Sequence, residues 1–174
     1  MRRIALLLAA TTAALTLAAS ASAATLLDVT NLPVQSVIPQ TLTFTATSAS
    51  TKIDFQGYQL PGSLTLVNIF FAATGTTPST ANNLFGLHYT YTPSSCPSPF
   101  HAFEGSDTPA FGANNLVFQG GCEGVYDSLA QTIGTTVGAS YTLKFSLSNS
   151  DAGPNGLRIF ATDAAVTGAV PEPA

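Results

Sequence analysis

The side chains best suited to acid–base chemistry lie close together around His101. His101, Glu104 and Asp107 occur in a segment rich in turn-forming residues, and they would form an acid–base or cation site if that segment folded back on itself. Solvated polar side chains are the commoner outcome of such a pattern. The second histidine, His88, lies in an alternating segment and has no standard metal-ligand spacing to His101. We therefore predict no catalytic residues, no metal site and no cofactor, and we expect that the protein is not an enzyme.

Two further groups of polar residues have the chemistry to bind a ligand. One turn is rich in oxygen atoms that suit Ca²⁺, but their spacing matches no EF-hand. These atoms belong to Asn149, Ser150, Asp151 and Asn155. Sugar sites combine an aromatic face with amides, and the candidates here are Tyr89, Tyr91, Phe100, Asn82 and Asn83. Because the sequence contains no tryptophan and aromatic residues in strands are mostly core residues, sugar binding rests on analogy between folds.

Residues 1–23 have the layout of a cleavable signal peptide. Arg2 and Arg3 form a positive start, an uncharged stretch rich in alanine and leucine follows, and Ala21 and Ala23 give the small-x-small form of a cleavage site. The apolar run is too short and too often interrupted by threonine to span a bilayer core of about 30 Å. We expect signal peptidase to cleave between Ala23 and Ala24, which places the mature protein in an oxidising compartment.

The mature chain contains two cysteines, Cys96 and Cys122. In an exported protein an even number of cysteines predicts a disulfide rather than metal ligands or a nucleophile, and two unpaired buried thiols are the alternative. A disulfide between them would stabilise the fold by about 3 to 4 kcal/mol in the chain-entropy description. We expect it to act as a local staple, because a chain of this length can bury a core without it.

Charged residues make up only 8% of the 174 residues, and the formal net charge is −4. After removal of the signal peptide, three strong bases and nine acids remain, which gives a charge of −6. A nucleic-acid-binding protein needs a basic surface that displaces counterions from phosphates, so this class is excluded. The share of hydrophobic residues, 45%, excludes a disordered chain.

Apolar residues alternate with polar ones along most of the mature chain, which is typical of strands with one buried face. Alternation is clearest at 41–47, and it recurs at 52–56 and 140–147. The nearly continuous apolar run at 64–72 predicts a strand that is covered on both faces. Shorter strands are predicted at 26–29, 84–91, 116–119, 129–133 and 157–161. Turn-forming residues such as Pro61-Gly62 separate these strands, so we predict an all-β protein with an antiparallel β-sandwich or jelly roll at residues 24–166.

The chain ends in Val170, Pro171, Glu172, Pro173 and Ala174. With the signal peptide and the threonine-rich β domain, this ending resembles the PEP-CTERM proteins of Gram-negative bacteria. In that family the motif precedes a membrane helix and an arginine-rich tail, and an exosortase recognises the whole signal. The resemblance implies a chain truncated after the motif, with residues 167–174 as linker and sorting motif. Contact with the membrane would be transient, through the missing anchor.

Segments 40–55 and 128–148 resemble strand pairs of the galactose-binding-like jelly-roll domains found in this family, although in reversed order. The resemblance implies an exported, non-enzymatic protein of the cell surface or the extracellular biofilm matrix, with exosortase as a partner and exopolysaccharide as a ligand. Two alternatives stay open. One is a secreted hydrolase that uses His101, Glu104 and Asp107 on a glycan or an ester. The other is a structural or adhesion subunit with no ligand, for which an exposed long edge strand would be the sign.

Overall fold

The computed structural model describes residues 23–76, 90–92, 116–120 and 122–166. These residues form nine antiparallel strands, and none of them is helical, so no described helix could cross a membrane. The strands are β1 (Ala23–Thr30), β2 (Gln35–Ala46), β3 (Ser50–Ala73), β4 (Thr90–Thr92), β5 (Leu116–Gly120), β6 (Asp127–Gly134), β7 (Ser140–Asn149), β8 (Asn155–Thr162) and β9 (Ala164–Val166). The prediction of an all-β, antiparallel protein is confirmed.

The 24-residue strand β3 belongs to two sheets. Its first half, residues 50–59, pairs with β6 and β8, whereas its second half, residues 63–73, pairs with β5 and β7. The strand order is therefore β1-β8-β3-β6-β4 in the first sheet and β5-β3-β7-β2-β9 in the second sheet. Strands that pass from one sheet to another form the corners of sandwiches, and β3 does so between Gln59 and Ser63, where its register shifts.

The turn predicted at Pro61-Gly62 is a corner inside one strand, because the chain continues through this position without reversing. β7 pairs with the second half of β3 and β8 with its first half, both in antiparallel orientation. The connection between β7 and β8, residues 150–154, therefore lies beside residues 60–62 of β3. Backbone hydrogen bonds hold the two crossings together: Leu60 N donates to Pro154 O over 2.9 Å, and Ser150 N donates to Ser63 O over 3.0 Å. We call residues 60–62, 150–154 and the nearby β1–β2 connection at 31–34 the corner.

The core lies between the two sheets, where the inward residues of each alternating strand meet. Phe55 of the first sheet contacts Phe145 of the second edge to face, with 6.4 Å between ring centroids, and both side chains are buried. Other buried side chains of the first sheet are Leu27, Val29, Ile53, Leu129, Leu157 and Ile159, and those of the second are Leu42, Phe44, Leu64, Leu66, Ile69, Phe118, Leu143 and Leu147. The architecture is β-sandwich-like.

The apolar run in the second half of β3 has a different cause from the one predicted. Leu64 and Leu66 face the core, but the register against β7 shifts between Val67 and Phe70, and Asn68 takes a positive φ of 55°. Such a bulge inserts an extra residue, so the inward position moves from even to odd residues and Ile69 is buried. Phe70 is only half-buried and shares the outer face with Lys144. The expectation that both faces are covered is therefore wrong for the described residues.

Candidate functional site

The outer face of the second sheet carries hydroxyl groups in rows. Alternation along β2, β7 and β3 turns every second side chain outward, and the register aligns these side chains across the strands. Neighbouring hydroxyls contact one another: Thr45 Oγ1 lies 3.2 Å from Ser140 Oγ, and Thr74 Oγ1 lies 3.1 Å from Thr142 Oγ1. Across the strands, Thr41 aligns with Lys144 and Phe70, Thr43 with Thr142 and Ala72, and Thr45 with Ser140. We call the outward threonines and serines along β2 and β7 the hydroxyl rows; they are Thr41, Thr43, Thr45, Ser140, Thr142, Ser146 and Ser148.

A shallow cleft of about 190 Å³ opens on this face, where β3 ends. The turn after β3 shapes one side of it, since Gly75 has a φ of 87° and Thr76 Oγ1 donates to Ala73 O over 2.7 Å. The residues that line the cleft are Phe70, Ala72, Ala73, Gly75, Thr76, Thr142 and Lys144. The cleft therefore combines an aromatic ring, hydroxyl groups and one ammonium group, and we call it the Lys144 cleft.

Lys144 differs from the other two strong bases of the mature chain. Lys52 Nζ lies 3.5 Å from the Asp54 carboxylate, and Arg158 Nε lies 3.1 Å from that of Asp28. Within the part of the chain that the structure describes, Lys144 forms no ion pair. Its side chain is exposed. Among the described residues, Lys144 is thus the strong base whose charge no carboxylate offsets.

Polar groups on the outer face of the first sheet already satisfy one another. Asp54 accepts hydrogen bonds from Ser128 Oγ at 2.5 Å and from Gln56 Nε2 at 3.3 Å, in addition to its ion pair with Lys52. A carboxylate with three partners holds its neighbours in place and offers little to a ligand. This group fixes β3 against β6.

Tyr126 contacts Arg158, because the guanidinium carbon of Arg158 lies 4.2 Å from the centroid of the Tyr126 ring. Tyr126 also meets Tyr58 edge to face, with 5.0 Å between centroids. Burial raises the pKa of the Tyr126 phenol above its ordinary value, and the positive charge of Arg158 offsets this only in part. The cluster is a cation–π contact that covers the ring.

The oxygen-rich turn of β7 and β8 lies at the corner, where its side chains bind the backbone. Asn155 Oδ1 accepts from Leu32 N at 2.9 Å, and its Nδ2 donates to Leu32 O and Gly153 O, both at 3.0 Å. Asn149 Nδ2 donates to Leu32 O at 2.8 Å, and Asp151 Oδ1 accepts from Gly153 N at 2.9 Å. No group of three or more metal-ligating side chains occurs among residues 23–76, 90–92, 116–120 and 122–166.

Gln59 is a buried polar residue that sequence reasoning missed. Its side chain is fully buried at the corner, where Nε2 donates to Pro61 O over 2.8 Å and to Asp151 O over 3.1 Å. Its Oε1 has no partner among the described residues. Alternation along β3 places Gln59 on the inward face, in series with Ile53 and Phe55. Glutamine is mostly an exposed residue, however, so its type predicts a surface position.

Most of the residues singled out from sequence lie outside the described residues. Ala23 and Ala24 begin β1, opposite Thr162 and Ala161 of β8. The backbone of Cys122 forms an isolated antiparallel β-bridge with Val125. The tyrosine of β4 is described in its backbone. The residues outside are Ala21, Cys96, His88, His101, Glu104, Asp107, Tyr89, Phe100, Asn82, Asn83 and Val170 to Ala174. The disulfide, the signal peptide and the sorting motif therefore stay predictions.

Comparison of the chain with protein-family models, with curated proteins and with solved structures finds no match. The molecule is thus assigned to a class by its own fold, as an all-β, β-sandwich-like protein.

Proposed function

We propose that the protein is an exported, non-enzymatic β-sandwich protein of the PEP-CTERM type, which reaches the cell surface or extracellular matrix and binds exopolysaccharide there. The observation that carries the binding part is the outer face of the second sheet, with its aligned rows of threonine and serine hydroxyls. Hydroxyls donate and accept hydrogen bonds at once, so such a face can follow the hydroxyls of a hydrated sugar polymer.

The described strands are compatible with processing at both predicted address segments. Cleavage between Ala23 and Ala24 would remove one residue of β1 and leave its register with β8 from Ala24 onward. β9 pairs with β2 as far as Val166, and the proposed linker and sorting motif follow at residues 167–174. In this proposal signal peptidase and an exosortase are the processing partners.

The proposal extends to the fold, as a jelly roll of the galactose-binding-like type. Two antiparallel sheets that share the strand β3 at the corner support it, because a jelly roll also folds one chain into two facing antiparallel sheets. A crystal structure of the mature protein tests this extension. A strand order other than that of a jelly roll would contradict the extension and leave the two-sheet architecture intact.

A pull-down tests the binding function. Exopolysaccharide from a Gram-negative producer is immobilised, and the mature protein is compared with the double variant T43V/T142V, which replaces two aligned hydroxyls by methyl groups of similar size. We expect the bound fraction to fall several-fold. The matched control is T132V, which removes an exposed hydroxyl from β6 of the first sheet. Failure of the unmodified protein to bind would contradict the proposed function.

A structural or adhesion subunit is the second candidate, because no described strand covers most of one edge of β2. β2 pairs with β7 along one edge, but β9 covers the other only at Phe44–Ala46, and no described strand pairs with residues 35–43 there. Val37 is 58% exposed beside this edge. Unpaired edges accept strands from other chains, so this candidate predicts self-association through β2.

Light scattering at rising protein concentration tests the second candidate. A lysine on an edge strand blocks pairing, so V37K should lower the apparent mass of any assembly to that of the monomer. V137K is the matched control, because Val137 is 64% exposed but lies in the turn before β7. A monomer at all concentrations, or equal effects of both variants, would contradict assembly through β2.

A further inference from the structure

We infer that the Lys144 cleft is a subsite for an acidic sugar residue, whose carboxylate pairs with Lys144 Nζ while its ring lies against Phe70. The inference rests on the proposed function and deepens it, because it names the class of exopolysaccharide and the place where the polymer is recognised. It concerns binding only, and no bond of the ligand is made or broken.

The strands of the second sheet carry almost no charge. The strands of the second sheet are β5, residues 63–73 of β3, β7, β2 and β9, and together they contain one charged residue, Lys144. None of these five strands contains an acidic residue, although the mature chain carries a formal charge of −6. An acidic polymer is repelled by most of this protein, so it would dock where a cation is not neutralised by a neighbouring carboxylate.

The aromatic ring and the ammonium group of the Lys144 cleft are neighbours. Phe70 and Lys144 occupy paired positions on adjacent strands, so the half-buried ring and the exposed ammonium group lie side by side on the outer face. The faces of sugar rings stack on aromatic rings, and a carboxylate forms a charge-assisted hydrogen bond with an ammonium group. The hydroxyls of Thr76 and Thr142 line the same cleft and supply further hydrogen bonds.

The Lys144 cleft is small. The cleft volume of about 190 Å³ is smaller than that of pockets for drug-sized ligands, which is roughly 300 to 1,000 Å³. One sugar residue of a longer chain suits this volume. The hydroxyl rows of β2 and β7 continue beside the cleft, so the neighbouring residues of the polymer would lie across Thr43 and Thr45.

Affinity electrophoresis of the mature protein through gels that contain polygalacturonate tests the inference. We expect K144Q to raise the dissociation constant about tenfold or more, as loss of a charge-assisted hydrogen bond implies, and F70L to raise it several-fold. K52Q is the matched control, because it removes an exposed lysine that is already paired with Asp54 on the other sheet. It should change the constant less than about twofold. Melting temperatures of all variants confirm that they fold.

Two further polymers separate the alternatives. Dextran lacks carboxylates and should bind weakly and equally to the unmodified protein and to K144Q. Polyglutamate carries carboxylates without sugar rings and should bind weakly, with little effect of F70L. Equal losses for K144Q and K52Q, or binding of dextran as tight as that of polygalacturonate, would overturn the inference. Binding of polyglutamate as tight as that of polygalacturonate would overturn the assignment to a sugar.

The subsite and the proposed function fail in different ways. If the unmodified protein and K144Q bind the producer's own exopolysaccharide equally well, the subsite is wrong and the function stands. If the unmodified protein binds neither that exopolysaccharide nor polygalacturonate, the binding function is wrong as well.

Discussion

The corner depends on Asn155, and replacing it by alanine tests how the two sheets are joined. The Asn155 amide makes three hydrogen bonds, to Leu32 N and O and to Gly153 O, and its side chain is fully buried. It therefore ties the β1–β2 connection to the β7–β8 connection. In N155A the backbone N–H of Leu32 would lose the Asn155 oxygen that accepts its hydrogen bond.

The magnitude follows from these contacts. Each hydrogen bond contributes about 1 kcal/mol net, and a buried donor left without a partner costs about 1 to 3 kcal/mol. Leu32 O keeps its bond from Asn149 Nδ2, so part of the loss is compensated. We expect N155A to lower the free energy of unfolding by about 3 kcal/mol, which corresponds to a fall in melting temperature of about 6 to 12 °C for a chain of this size.

Urea denaturation followed by circular dichroism measures this loss. The matched control is S150A on the same connection, because Ser150 Oγ makes exposed contacts with Ser63, accepting from its backbone N at 2.7 Å. We expect S150A to cost about 1 kcal/mol or less. A loss below about 1 kcal/mol for N155A, or equal losses for the two variants, would refute the view that the buried amide holds the corner.

Three further results are expected. In urea denaturation, G57A should destabilise the protein by about 1 to 3 kcal/mol, because a Cβ at this position would lie 2.5 Å from the buried ring of Phe118. The control G134A, whose Cβ would meet no described atom within 4 Å, should change stability by less than about 0.5 kcal/mol. Equal effects of the two variants would contradict the close approach of Gly57 to Phe118. EDTA should leave the melting temperature unchanged, since the oxygen-rich turn binds backbone groups, and a fall reversed by Ca²⁺ would contradict this. Burial is the main cause of the raised pKa of Tyr126 in the folded protein, so the contribution of Tyr126 to stability is present below the unfolded pKa of about 10 and is lost as the pH rises through the folded pKa. Ultraviolet titration of the protein and of Y126F measures the folded pKa. A value at or below 10 would contradict the burial of the phenol.

Local patterns in the sequence were sufficient to predict most of the strands. In β7 every second residue from Tyr141 to Leu147 is buried, and the polar residues between them face outward. Such alternation depends only on the pleat of a strand, so it is visible without knowledge of neighbours. The corner was not predictable in this way. Pro61-Gly62 has the composition of a turn, but its conformation is determined by Ser150 and Pro154, which come from a distant part of the chain.

The Lys144 cleft also escaped prediction, for a related reason. Phe70 lies in an apolar run that resembles a buried strand, and Lys144 lies on the polar face of an amphipathic one. Only the register between β3 and β7, displaced by the bulge at Asn68, brings them side by side. A register between strands far apart in sequence is a tertiary property, and a single sequence carries little information about it.

The N-terminal residue of the protein recovered from the surface and matrix of a Gram-negative producer tests the central claim most directly, because secretion comes before every proposed role. We predict a chain that begins at Ala24, found outside the cytoplasm. A product that begins at Met1 and stays in the cytosol would contradict the account.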